Sequence, residues 1–267
     1  MAITLSIEEL VYCFYSEGLF EQGAAAKQAY FEGLSDEQMD LLFQAACRSL
    51  LSKDYLIYEQ HRFSLKKEIA DIICALNFSP LSLKVSRFIK EEDTISVHFS
   101  GERIYCHSLI YEGQVHVFEA ITGEEVPGIV GRYLGIADRP VKKEPILSIS
   151  QPEFESMLSM LDEDSAQVPV YLQSMGEDAP SIERFAGDMV SNSGYMDSIL
   201  FLQFNEKREP VLSDILFTIK GESDSWAISR AKDNKYMVNA CNCMSLRTAI
   251  EKIITAIDPA LCQSQRL

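Results

Sequence analysis

The chain has 267 residues, with 40 acidic and 24 basic side chains, a formal net charge of −16 and 47% hydrophobic content. The length fits one large domain or two ordinary ones, and the apolar fraction excludes a disordered chain. An isoelectric point near 4.7 sets the molecule as a whole against nucleic-acid backbones and anionic lipid surfaces.

The acid is unevenly spread. Residues 1–90 carry 12 acidic and 9 basic groups, residues 91–190 carry 19 and 6, and residues 191–267 carry 9 and 9. The clusters Glu91-Glu92-Asp93, Glu124-Glu125, Asp162-Glu163-Asp164 and Glu177-Asp178 read as solvated loops, or as a face that attracts a basic partner. Residues 1–4 show no basic or apolar leader, and the longest uncharged stretches, 72–83 and 165–176, are too short to span a bilayer. Seven cysteines, several inside apolar runs, fit a reduced, cytoplasmic protein.

In chain order, Ser6-Ile7-Glu8-Glu9 predicts a capping box, with Leu10, Val11 and Phe14 on the buried stripe and Gly18 as the stop. A short helix is expected over 23–31. A second capping box at Ser35-Asp36-Glu37-Gln38 opens a helix over 36–52 whose stripe is Met39, Leu42, Phe43, Ala46, Leu50 and Leu51. Residues 55–58 and 61–64 read as a small β-wing, and 65–76 as a further helix. Three helices and a wing form a winged-helix-like segment over 1–78. Its would-be recognition helix begins with Asp36, Glu37 and Asp40, which argues against DNA as its target.

Ser79-Pro80 marks the passage into a body spanning 79–267. Strands are predicted over 94–99, 103–111 and 114–120. The stretch 123–136 is glycine-rich and ambiguous. Helices follow over 153–161 and 180–190, then strands over 198–204, 214–219, 225–230 and 236–240. Ser245 is expected to cap a final helix carrying Leu246, Ile250, Ile253, Ile254 and Ile257, which Pro259 ends. The fold class is α+β: a winged-helix-like segment followed by an antiparallel sheet with helices, its repeated order suggesting two related halves.

Few constellations could carry chemistry. His98, His107 and His116 recur every nine residues, one per strand, and could converge on zinc if they share a face. A meander of polar histidines explains the spacing equally well, and no metal or other cofactor is expected. Cys106 must point away from His107's face. Cys241-Asn242-Cys243 lacks the second pair of a zinc ribbon, and Gly128-Ile129-Val130-Gly131 lacks the lysine of a phosphate loop. With no nucleophile–base set, the chain is not expected to be an enzyme. Trp226, the single tryptophan, and Phe99, Tyr105, Tyr111 and Phe118 are either sheet-packing anchors or partner-binding aromatics. An apolar patch on a sheet ringed by acid would suit a helical partner with basic flanks.

Four stretches together resemble the EspG-type family of ESX (type VII) secretion-associated proteins. They are Leu5-Ser6-Ile7-Glu8-Glu9-Leu10; the helix end and wing from Ala45 through Arg48, Lys53 and Tyr55 to Leu56; a helix running into a strand across Pro80; and the closing hairpin with Trp226, then Val238, Ser245, Leu246 and the terminal helix. The resemblance covers nearly the whole chain. Asp54 stands where many relatives have glycine, and the cysteine and lysine usage points to a distant, Firmicutes-type relative. The resemblance implies a cytosolic α+β chaperone that binds one end of a helical-hairpin substrate, keeps it soluble and hands it to the secretion machine. The competing expectation is a winged-helix transcriptional regulator with a ligand-sensing C-terminal body.

Overall fold

The computed structural model describes residues 2–88, 92–142, 144–205 and 209–258. The expectations for Glu91, Pro259 and Cys262 lie outside the described residues. The fold is α+β, with helices and an extensive antiparallel sheet. The chain divides into two compact units: Met1–Pro80 with Ile95–Ile121, and Leu81–Thr94 with Thr122–Leu267.

The first unit opens on a strand that the sequence pattern did not announce, β1 (Ala2–Ser6). Ser6 then caps α1 (Ile7–Ser16) with the expected box: the Glu9 amide donates to Ser6 Oγ, and the Ser6 amide to the Glu9 carboxylate at 2.8 Å. Helices α2 (Phe20–Tyr30) and α3 (Asp36–Ser52) follow, the latter boxed by Ser35 and Gln38. Strands β2 (Leu56–Glu59) and β3 (Arg62–Leu65) form the hairpin, and α4 (Lys67–Phe78) completes the helical set. Gln60 and His61 both adopt positive φ, as a two-residue hairpin turn whose twist matches its strands requires.

The unit's remaining strands were predicted: β5 (Glu92–Ser100), β6 (Arg103–Ile110) and β7 (Val115–Ile121). Their order is β1-β7-β6-β5, all antiparallel. One sheet face presents Ile3, Leu5, Tyr105 and Phe118 to Leu10, Val11 and Phe14 of α1 and to Ile69, Ile72 and Ile73 of α4. Glu9 is buried with these apolar groups. It is met by Lys53 Nζ at 2.7 Å and Ser49 Oγ at 2.6 Å, and Lys53 also donates to the Thr4 carbonyl of β1 at 3.2 Å.

The second unit contains β4 (Leu81–Phe88), unpredicted from the pattern alone, and the ambiguous glycine-rich stretch, which forms α5 (Val126–Leu134) ended by Gly135 at φ 66°. Next come β8 (Leu147–Ser150), α6 (Gln151–Glu163), α7 (Val168–Gln173) and α8 (Ala179–Ser191). Strands β9 (Asp197–Phe204), β10 (Pro210–Lys220), β11 (Ser225–Arg230) and β12 (Lys235–Ala240) precede α9 (Cys243–Ile257). The strand order is β4-β9-β10-β11-β12-β8. The cap of α9 is Asn242 rather than Ser245. Asn242 Oδ1 accepts the Ser245 amide, and Ser245 Oγ returns the favour to the Asn242 amide, a box shifted by three residues.

Helices α6, α7 and α8 cover one face of this sheet, where Phe154, Met157, Leu172, Ile182, Phe185 and Met189 meet Ile219, Trp226, Ile228 and Val238. Trp226 is wholly interior. Its indole donates to Asp188 at 2.7 Å and its ring meets Phe185 edge-on at 5.6 Å.

Candidate partner-binding groove

On its other face, the second unit's sheet alternates Leu216 with Thr218 on β10 and Ala227 with Ser229 on β11, beside Asn239 on β12. Helix α9 packs against α5, and Leu246, Ile250 and Ile254, spaced by four, are its buried stripe. Gly131 of α5 faces Cys243 and Leu246 of α9, which a Cβ there would meet at ordinary van der Waals distance. The neighbouring flank of α9, formed by Ser245, Thr248, Ala249, Lys252, Ile253 and Ala256, is not used in that packing. It walls a groove of about 680 Å³ whose other side includes Leu216, Ala227 and Asn239. Met244, two-thirds exposed, stands at the helix start.

The groove's charge differs from the acid ring expected. Lys142, Arg230 and Lys252 line it against a single carboxylate, Asp214. Lys142 ties a carboxylate of the acidic middle third, Asp178, at 2.7 Å. This hydrogen bond holds the Asp178 carboxyl below its ordinary range.

Of the five aromatics singled out, Phe99, Tyr105, Phe118 and Trp226 are buried, so their side chains serve packing. Tyr111 is 76% exposed, at positive φ in the β6–β7 turn. The structure does not bring the five together as one surface. The groove residues were missed because no local pattern marks them: they are polar or small positions on three strands and one helix flank.

The three histidines do share a face. His107 stands opposite Phe118, His98 opposite Tyr105 and His116 opposite Leu109, all on the side of β1-β7-β6-β5 that carries Tyr105 and Phe118. Yet their rings stack instead of converging. His107 lies 5.1 Å from His116 at an interplanar angle of 9° and 4.5 Å from Phe118, with a 2.9 Å hydrogen bond from ring to ring. Burial pushes His98 and His116 down to about 4. It pushes His107, which also faces the other two rings, down to about 3. Among the described residues no group of three or more His, Cys, Asp or Glu is placed to hold a metal ion. None of the six described cysteines is in a disulfide, and burial raises Cys106 and Cys241 to about 11, far from a thiolate nucleophile at neutral pH. No helix among the described residues is long and apolar enough to cross a membrane.

Three comparisons bear on this arrangement. The family model described as "Uncharacterised protein YfjC" matches residues 2–250. The "Uncharacterized protein YfjC" of Bacillus subtilis (strain 168) is 35% identical over 240 residues, covering 88% of this chain and 93% of that protein. Among solved structures, the Mycobacterium tuberculosis type VII secretion system chaperone EspG5, in complex with the PE25-PPE41 dimer, has a similar fold. Its TM-score is 0.64 at 10% identity, covering 96% of each chain. The EspG-like resemblance is therefore one of fold over nearly the whole length.

Proposed function

We propose, for a chain that belongs to the YfjC family, that it is a non-catalytic cytoplasmic binding protein, a secretion chaperone that holds one end of a helical protein partner. The observation that carries this reading is the groove on the second unit. One turn of helix, about 10–12 Å across and 5.4 Å long, fills on the order of 500 Å³, so a cavity of about 680 Å³ accepts a turn and its side chains. Its apolar floor would bury the partner's apolar stripe, and Lys142, Arg230 and Lys252 suit a helix with acidic flanks. The fold shared with EspG5, whose structure is in complex with the PE25-PPE41 dimer, supports a protein-binding reading.

The test mixes the full chain with each helical-hairpin protein that neighbouring genes encode. The expected result is a stoichiometric complex on gel filtration, lost when Thr248→Arg or Met244→Arg places bulk and charge on the exposed groove wall. A chain that ignores every such neighbour, or binds one unchanged by both substitutions, overturns the proposal. The start of α3 exposes Asp36, Glu37 and Asp40, which weighs against a DNA-binding regulator. Salt-dependent duplex binding would reverse that judgement.

A further inference from the structure

The second unit has another cavity, about 650 Å³, that shares no lining residue with the groove. Its floor is a polar row across three strands. The register pairs Thr218 of β10 with Asp197 of β9, and the β4–β9 register, which pairs Ser86 with Ser198, places Arg87 beside Asp197 one residue further on. Tyr133 and Arg132 from the end of α5, Lys220 from β10 and Asn192 after α8 complete the walls.

Among the described residues, two buried donors here lack a hydrogen bond. Arg87 gives Nη2 to Asp93 at 2.7 Å and Nη1 to the Tyr133 carbonyl at 3.3 Å, and its guanidinium lies 4.9 Å over the Tyr133 ring. Its Nε is buried and unmet. Thr218 is wholly buried, and its Oγ1 has no partner. The Tyr133 hydroxyl is buried and turned to the Asp93 carboxylate. Buried donors are nearly always satisfied, so two at one cavity point to an acceptor that enters it.

The charges agree. Arg87, Arg132 and Lys220 outnumber the carboxylates Asp197 and Asp93, in a chain whose net charge is −16. Asp197 is already engaged by the Phe88 amide at 2.8 Å, and burial pushes its carboxyl up toward the neutral form. The ends of α5 and α8 reach the cavity with carbonyls turned back onto the amides of Gly135, Asn192 and Ser193, so those acceptors are occupied.

From this geometry we infer that the cavity binds a small oxyanion, the phosphate or carboxylate group of a metabolite. The anion accepts from Arg87 Nε and Thr218 Oγ1 on the floor and is drawn in by Arg132 and Lys220 at the rim. Arg87 is the anchor, held by Asp93 and Tyr133 so that Nε remains available.

The experiment is calorimetric titration of the full chain at low ionic strength with inorganic phosphate and, separately, acetate, with chloride as the control. The expected result is saturable one-site binding of phosphate, acetate or both; which one binds identifies the group taken. Thr218→Val, close to isosteric, and Lys220→Met, at an exposed position, should each weaken that affinity about tenfold while leaving the far-ultraviolet circular dichroism unchanged. Absence of saturable binding by both probes overturns the inference. So does equal binding by chloride, or binding unaltered in both variants, since then the donors are met by solvent alone.

Discussion

Lys53 Nζ stands 2.7 Å from the carboxylate of Glu9, a side chain almost wholly buried in the first unit. Glu9 thereby does two jobs: it closes the capping box of α1 through the Ser6 amide and receives both Ser49 and Lys53 from the end of α3. One carboxylate thus fixes the start of one helix against the end of another. Lys53→Met leaves that charge in the core with its cation gone, and Glu9→Gln weakens three charge-assisted bonds together. Each should cost about 2–3 kcal/mol in urea unfolding, the lower part of the range for a broken buried pair because Lys53 retains partial solvent contact. A loss below a few tenths of a kcal/mol in both variants would contradict this account.

Asp188 plays the corresponding part in the second unit. It accepts the Trp226 indole at 2.7 Å and the Glu222 amide at 3.2 Å, and a Cβ at Gly221 would run into its carboxylate. Gly221→Ala should destabilise the chain by about 1–3 kcal/mol through overpacking. Asp188→Asn should cost about 1–2 kcal/mol. Because Trp226 is the single tryptophan, its fluorescence reads the loss directly: both variants should shift the emission transition to lower denaturant.

The stacked histidines predict a stability that depends on pH. Their folded pKa values are depressed to about 4 for His98 and His116 and about 3 for His107, below the unfolded value of 6.5. The unfolded chain therefore binds protons first. The stability is fully present above about pH 6.5 and drains as pH falls toward 4, at about 1.4 kcal/mol per pH unit for each imidazole. His107→Phe, continuing the stack onto Phe118, should flatten the dependence between pH 7 and 5. A profile as steep as the parent's would show that other groups govern it.

The hairpin turn offers a gain instead of a loss. Gln60 and His61 hold φ at 51° and 59°, a conformation that asparagine and glycine adopt with less strain. Replacing the pair by Asn-Gly should raise stability by about 0.5–1 kcal/mol, seen as a higher thermal midpoint. No change would mean that the Tyr58 contact with His61 offsets the strain.

Local signals carried much of the architecture. Both capping boxes opened the helices they predicted, and the period-two runs around His98, His107 and His116 became β5, β6 and β7. What escaped were elements whose reason lies far away in the chain. Strand β1 is five residues of weak alternation that exist as a strand because Ile3 pairs with Phe118. Strand β8 is four residues held by Tyr236 and Val238. Helix α5 was obscured by its glycines, and its place is set by packing against α9, distant in the chain. The aromatic residues were visible as anchors, but period-two spacing cannot say which face a helix will cover. The groove was illegible for a related reason: its walls are small and polar residues that become a surface only after β10, β11, β12 and α9 have assembled.

Among the described residues, strand β1 has β7 on one side and no strand on the other, and the bond from Lys53 to the Thr4 carbonyl falls along it. Open strand margins invite a passing chain to add itself, and a lysine laid against one is a common deterrent. A protein that spends its time beside incompletely assembled clients would meet such visitors often. The ammonium that neutralises Glu9 thus also occupies a backbone acceptor on a margin where another strand could add.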